Sequence, residues 1–497
     1  MTETATAEPL ALENTYARLP SEFFARAAPT AVSAPRLLRL NRPLAAQLGL
    51  DAQALESPAG LDILSGNRVP EGAEPLAMAY AGHQFGNFAP TLGDGRAVLL
   101  GEIVDRNGTR RDIQLKGAGP TPFSSRGDGR AALGPVIREY VVSEGMAGLG
   151  IPTTRALSMV TTGESVFRMR SEPGGVLTRV AASHVRVGTF EYFYRRGNND
   201  AVRSLADYVI ERHYPHAADA ANPYHALLEE VATRTADLIA QWLLVGFIHG
   251  VMNTDNVSIA GETIDYGPCA FMDSYNPATV YSSIDQGGRY AYNQQPAIGQ
   301  WNLARFAECL LPLLADDEQE AITQAQAVLE RYIERFETTY HDGLAAKIGL
   351  EKRREGDADL AYELLECMTE QGADFTLTFR RLADSAGDSD DRDDAVRTLF
   401  NDPYGFDSWA ARWRQRLAAE IRDDAARRAA MRAVNPAYIP RNHRIQQAID
   451  AAEAGDYQPL EELLTVVASP FDDHPDLADY TRPPKPEEVV QRTFCGT

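Results

Sequence analysis

HGVMNTDNVSIAGETIDYGPCAFMD, residues 249–273, carries the reading of this chain. Within one segment it holds a His-Gly turn, Asn256, and an Asp-Tyr-Gly that begins at Asp265. Asn and Asp side chains offer hard oxygen donors, the kind that hold Mg²⁺ or Mn²⁺. VSIAGETIDYG predicts a hairpin of two short strands about the Gly-Glu turn, ending at Asp265. Read alone, Asp265 passes equally well for a turn residue, so the decision rests on what precedes it.

Immediately upstream, Leu228, Val231, Thr235, Leu238, Trp242 and Val245 recur at spacings of three and four. That spacing predicts a long helix with one buried face, ending near Gly246. Further upstream the pattern is β-like. TLGDGR (91–96) is a Gly-rich turn, AVLLGEIV (97–104) reads as a strand, and DIQLK (112–116) returns with Lys116 at its far end. GAGPTPFSSRGDGRAALGP then admits no regular element. Pro135 favours a helix start, and Val136, Ile137, Tyr140 and Val141 form an apolar stripe from which Glu139 stands off. TTRALSMV, ESVFRM and GVLTRV, between 153 and 180, read as further strands.

From about 300 to 465 the pattern is helical, broken by the acidic loop DSAGDSDDRDD and by NPAYIPRNH. The expected organisation is an N-terminal extension over 1–75, a β-rich lobe over 76–190, a helical lobe over 191–470 and a tail over 471–497.

The order of parts is a Gly-rich loop, a hairpin ending in Lys, a helix carrying Glu, helices, a His-Gly loop ending in Asn, then Asp-Tyr-Gly. Protein kinases and aminoglycoside-type kinases share that order. It predicts an α+β, protein-kinase-like two-lobed fold, with a small β-rich N-lobe holding one helix and a large helical C-lobe. Phosphoryl chemistry explains the residue types: a Lys held by a Glu grips phosphates, while Asn and Asp hold a metal against phosphate oxygens. Singly, each part has a plainer reading, such as a β-turn for TLGDGR and exposed surface positions for Lys116 and Glu139. The plain readings leave the order unexplained. One departure stands out: in aminoglycoside-type kinases the loop runs His-Gly-Asp, and here Val251, which cannot accept a proton, fills the Asp position. A carboxylate returns only at Asp255.

Composition restricts the partners. Lys and Arg total 48 against 70 Asp and Glu, a net charge of −22, which argues against a nucleic-acid coat and confines any polyanion to local basic islands. With 44% hydrophobic and 24% charged residues the chain can bury a large core. No apolar run approaches the ~18 residues of a membrane span, and MTETATAEPLALEN has no leader-like h-region, so a cytoplasmic location is expected. Cys269, Cys309, Cys367 and Cys495 form no Cys-x-x-Cys pair and read as reduced thiols.

Three stretches, YAGHQFGNFAPTLGDGRAVLLGE, QLKGAGPTPFSSRGDGRAALG and the segment quoted first, resemble the selenoprotein O family, kinase-fold protein adenylyltransferases. The resemblance covers nearly the whole chain. It implies that ATP binds in reverse orientation and that AMP passes to Ser, Thr or Tyr hydroxyls of proteins. It further implies that Gly93, Gly95, Arg96, Lys116, Asp128 and Gly129 contact nucleotide, with Glu139 supporting Lys116. Arg179 and Arg186 in TRVAASHVRVGTF match phosphate-gripping positions, Asn256 and Asp265 the metal ligands, and Asp255 the proposed base. Asp265 also counts among the nucleotide contacts. In eukaryotic members a Cys-x-x-selenocysteine ends the chain. Here Arg492 replaces that Cys, so Cys495 would need a distant partner, for which Cys269 is the candidate. Two alternatives remain beside adenylyl transfer: a hydroxyl kinase, and a non-catalytic pseudokinase scaffold that binds ATP.

Overall fold

The computed structural model describes residues 9–168, 170–386 and 393–493. The strands of its N-terminal part are β1 (Phe24–Arg26), β2 (Arg36–Leu40), β3 (Leu76–Met78), β4 (Gly82–Gln84), β5 (Asn87–Ala89), β6 (Ala97–Val104), β7 (Arg110–Lys116), β8 (Ala131–Ala132), β9 (Arg155–Phe167) and β10 (Ser171–Ala181). Among the described residues, β1-β3-β6-β7-β10-β9-β2 form one antiparallel sheet in that order, with β8 on β10. The strands β4 and β5 make a separate hairpin. The three runs expected between 153 and 180 condense into the two long strands β9 and β10.

Period-2 alternation sorts the sheet. Ile113 and Leu115 join Val98, Leu100, Val160 and Val176 in an apolar layer. The layer is closed by three short helices, α1 (Arg42–Gln47), α2 (Ala52–Glu56) and α3 (Pro58–Ser65). Asn41, Asp51 and Ser57 cap those helices by accepting backbone N–H groups. Residues set apart as an extension in the sequence thus supply strands β1 and β2 and this helical layer. On the opposite face of the sheet, Gln114 pairs across from Arg179, and Lys116 across from Leu177.

That second face receives α4 (Leu133–Gly148), whose apolar stripe meets β9 and β10. The rest of the chain is helical: α5 (Val187–Tyr194), α6 (Asn199–His213), α7 (Pro223–Leu244), α8 (Gln295–Leu314), α9 (Glu318–Lys347), α10 (Asp357–Gln371), α11 (Phe375–Ser385), α12 (Asp394–Arg397), α13 (Tyr404–Ala418), α14 (Asp424–Val434), α15 (Asn442–Glu453) and α16 (Gln458–Ala468). Pro223 at its first turn and the Asn222 cap start α7, which packs on α8 and α9. Helices α15 and α16 return to cover the outer side of α4, while Glu139, off the apolar stripe and 5% exposed, meets Lys116 and Arg179 of the sheet. The result is a β-rich N-terminal part and a large helical C-terminal part joined through α4. Part of DSAGDSDDRDD lies outside the described residues.

One expected element is absent. VSIAGETIDYG does not pair with itself; Ser258 bridges Arg186 and Thr263 bridges Thr153. Val187 N–H donates to Val257 O at 2.9 Å and Thr263 N–H to Pro152 O at 3.0 Å. The turn at Gly261 forms, but runs of about four residues gain more by pairing with segments already fixed by the core than with each other. This pairing ties the loop to the sheet side.

Candidate active site

Four side chains from the sheet, α4 and the segment after β10 converge on Asp265. Lys116 Nζ donates to Glu139 Oε2 at 2.6 Å and to Asp265 Oδ1 at 3.0 Å. Arg179 Nη1 donates to Asp265 Oδ1 at 2.6 Å and to Glu139 Oε1 at 3.1 Å. Arg186 Nη1 bonds Asp265 Oδ2 and also donates to the carbonyl of Asp255 at 2.6 Å. Arg179 and Arg186 are nearly fully buried, whereas the Asp265 side chain keeps 20% exposure. Burial alone would raise the Asp265 carboxyl, but Arg186, Lys116 and Arg179 hold it well below the usual carboxylate range.

The two arginines have their own supports. Gln114 Oε1 accepts from Arg179 Nε at 3.1 Å and Nη2 at 2.6 Å, as the cross-strand register requires. Arg186 lies over the Tyr80 ring at 4.7 Å and within 3.9 Å of Asp94. Asp94, in turn, accepts from Met78 N–H at 3.1 Å and Gln114 Nε2 at 3.3 Å. Sequence reading passed over Gln114, Tyr80 and Asp94. Gln114 stands two residues before Lys116 on one strand face, and that spacing was the available signal.

His249 orders the loop from within: it is buried, its N–H donates to Gln295 Oε1 at 3.0 Å, and its Nε2 meets Ile264 O at 2.9 Å. Asp255 follows on a single 3-10 turn and is 7% exposed. Its Oδ2 accepts from Gln84 Nε2 at 3.2 Å, and its Oδ1 has no partner. Burial pushes the carboxyl up to about 6. The β4–β5 hairpin roofs this group so closely that a Cβ at Gly82 would lie 2.3 Å from Asp255 Oδ1, which is why only Gly fits there. Asn256 gives its amide N–H to Val251 O at 2.9 Å, leaving its carbonyl oxygen without a hydrogen bond among the described residues.

The Gly-rich turn is pinned under residues 121–124. Thr121 Oγ1 donates to Asp94 O at 2.6 Å, Ser124 Oγ to Gly95 O, and Gly93 takes φ +74° with the Phe123 ring where a side chain would be. Asp128 does not join the Asp265 cluster. Its carboxylate pairs with Arg168 at 2.9 Å and caps Arg130 N–H, and Gly129 packs on the backbone of Gly119. A cavity of about 720 Å³ runs from Lys116 and Glu139 along the start of α4, with Arg96, Arg138, Arg168 and Arg170 on its walls. Of these, Arg168 pairs with Asp128, and Arg170 with Glu172 and Glu453. Among the described residues, three non-glycines have positive φ: Phe85 in the hairpin, Ser125 beside the pinned turn, and Asp265 itself. Such strain concentrates where function over-determines the backbone.

The family model described as "Protein adenylyltransferase SelO" matches residues 7–468. The chain belongs to that family. It is 63% identical over 486 residues to "Protein nucleotidyltransferase YdiU" of Rhodopseudomonas palustris (strain BisB18), covering 98% of this chain and 99% of that protein. The protein of the same name from Bradyrhizobium sp. (strain ORS 278) is 64% identical with the same coverage, and one from Methylorubrum extorquens is 62% identical over 491 residues, again covering 98% of this chain and 99% of that protein. This member of the SelO family is therefore an enzyme of the nucleotidyltransferase class. No helix among the described residues is long and apolar enough to cross a membrane.

The hard oxygen donors a divalent cation would take are those of Asn256 and Asp265, and both Asp265 oxygens are engaged by Lys116, Arg179 and Arg186. No group of three or more His, Cys, Asp or Glu is assembled for a metal among the described residues, but Asn256 and Asp265 offer an open carbonyl and a carboxylate. Those are hard oxygen donors, and Mg²⁺ usually completes its shell with phosphates and water. Cys269 is fully buried, with its carbonyl accepting from Arg138 at 3.4 Å. Its suggested partner, Cys495, lies outside the described residues. The last described residue, Thr493, donates its hydroxyl to Pro268 O at 2.6 Å.

Proposed function

We propose that the chain transfers AMP from ATP to Ser, Thr or Tyr hydroxyls of proteins, in a protein-kinase-like frame with ATP reversed. The observation that carries this reading is the meeting of Lys116, Arg179 and Arg186 on Asp265, beside a buried Asp255 with one unpartnered oxygen. Three cations against Asp265 and Glu139 leave positive charge for a polyphosphate. Arginine forks suit two neighbouring phosphates better than a point charge does.

In this reading Arg179, Arg186 and Lys116 hold the β,γ-phosphates, and Gly93, Gly95, Arg96, Asp128 and Gly129 line the nucleotide's path. The protein hydroxyl attacks the α-phosphorus. A new O–P bond forms, the bond from the α-phosphorus to the bridging oxygen breaks, and diphosphate leaves with that electron pair. Asp255 takes the hydroxyl proton; a carboxyl near 6 is ionised at neutral pH yet still basic enough for the task. Asn256 and Asp265 would hold Mg²⁺ or Mn²⁺, which when bound supplies positive charge at the phosphate oxygens. With the nucleotide reversed, Val251 in the kinase Asp position is no defect.

Incubation of the protein and a protein mixture with α-labelled ATP and Mg²⁺ tests this. Label on protein with an AMP-sized mass increment is expected. A phosphoryl-sized increment would assign a kinase, and no increment would assign a scaffold.

A further inference from the structure

The surface beside Asp255 carries a second basic feature, apart from Lys116, Arg179 and Arg186. In the β4–β5 hairpin, His83 and Phe88 are register partners, with ring centroids 5.0 Å apart. The edge of His83 meets Trp301 of α8 at 5.3 Å. Arginines stack on both ends of this row: Arg195 over Phe88 at 4.9 Å, and Arg289 and Arg305 over Trp301 at 4.8 and 5.0 Å. Arg305 shares Glu308 at 2.6 Å. Arg195 and Arg289 have no carboxylate within ion-pair distance among the described residues, and Asp285 directs its oxygens to the backbone N–H groups of Arg289 and Tyr290.

The same hairpin that presents these rings touches Asp255 through Gly82 and Gln84, and Arg289 approaches Gly86 at its tip. Position and charge therefore coincide: a half-buried aromatic row with two guanidinium groups, Arg195 and Arg289, outside any ion pair among the described residues, in a protein of net charge −22, adjoining the carboxylate that would receive the hydroxyl proton. Stacking holds a guanidinium flat and leaves its N–H edges open to carboxylates. A nucleic acid would meet the same groups. However, a long polyanion is repelled by the rest of this acidic surface, whereas a short acidic segment meets only the patch.

We propose that this face docks an acidic segment of the substrate protein, next to the accepting hydroxyl. The proposal rests on the adenylyl-transfer reading for its substrate but can be measured apart from it. A fluorescent Glu-rich peptide holding one Ser should bind wild type with an affinity that falls as salt rises, and a Gln-substituted peptide should not bind. The Arg195→Gln/Arg289→Gln variant should lose about tenfold or more in affinity for the Glu-rich peptide, with ATP binding unchanged. In transfer assays KM for that peptide should rise by a similar factor, with kcat within about twofold. Equal binding by the variant, equal binding of the Gln peptide, no binding at all, or tighter binding of an RNA oligonucleotide overturns the docking proposal. Peptide bound as expected but never labelled from α-labelled ATP would instead overturn adenylyl transfer and leave docking intact.

Discussion

Asp265 lies where the sheet meets the 249–273 loop, and Lys347 lies at the end of α9 among helices. Burial penalises the charge on both. Around Asp265 the fold gathers Lys116, Arg179 and Arg186, and the carboxyl is held ionised far below its ordinary range. Lys347, 3% exposed, meets only the rings of Phe379 at 4.3 Å and Phe375 at 5.3 Å, with no ion-pair partner among the described residues. Burial pulls its pKa down to about 7. The direction of a shift follows from partners, since burial works against charge in both places. Asp255 stands between these cases: Arg186 bonds its backbone carbonyl, but no cation pairs with its carboxyl among the described residues, and burial raises it.

That contrast predicts its largest effect at Asp255. If the group is kept unpaired so that it can take a proton, Asp255→Asn should lower AMP transfer by about 10²- to 10⁴-fold while ATP still binds. Rates from α-labelled ATP and calorimetric binding measure the two. Transfer within a few-fold of wild type removes Asp255 as the base.

The pairing at Asp265 predicts the next effect. Asp265→Ala leaves three cations against Glu139, and breaking a buried pair costs about 3–5 kcal/mol, less to the extent that Asp265 is solvent-exposed. Tm should fall by several degrees, and diphosphate should recover part of the loss by supplying the missing anion. An unchanged Tm would show that the cluster adds no stability.

Lys347 predicts the smallest effect, with a defined sign. Its folded pKa near 7 lies below the unfolded value near 10.4, so the folding penalty is full at and below pH 7. The penalty fades as pH rises from about 7 to about 10.5, because there only the unfolded chain holds the extra proton. Lys347→Met should therefore stabilise the protein by on the order of 2–4 kcal/mol at pH 7 and below, with the gain shrinking toward pH 10. Denaturant midpoints at pH 6.5 and 9.5 check this. A gain independent of pH would mean that Lys347 sits at its ordinary pKa.

The sequence made some of this legible and hid the rest for physical reasons. The β6–β7 hairpin and α7 could be read because their periodicity is long and their turns and caps are local. Glu139 looked like a surface residue because its partners, Lys116 on β7 and Arg179 on β10, reach it only through the tertiary fold. The failed hairpin at 257–265 shows the same limit: short β-prone runs take whichever edge the tertiary fold presents. Gln84 and Gly82 sit in a quoted motif, yet nothing in their spacing says that they roof Asp255. Helices α1–α3 stayed hidden within the 1–75 extension because elements of five to eight residues show little more than two turns of pattern at most.

Asp265 also has a consequence for turnover. In the proposed reaction the three cations that grip diphosphate are the ones with which Asp265 also pairs. A carboxylate fixed a few ångströms away acts at a high effective concentration, so it competes with the leaving group from inside the protein. The site then binds diphosphate less tightly than three bare cations would. Product release becomes an exchange of one anion for another, in which no buried cation is left unpaired.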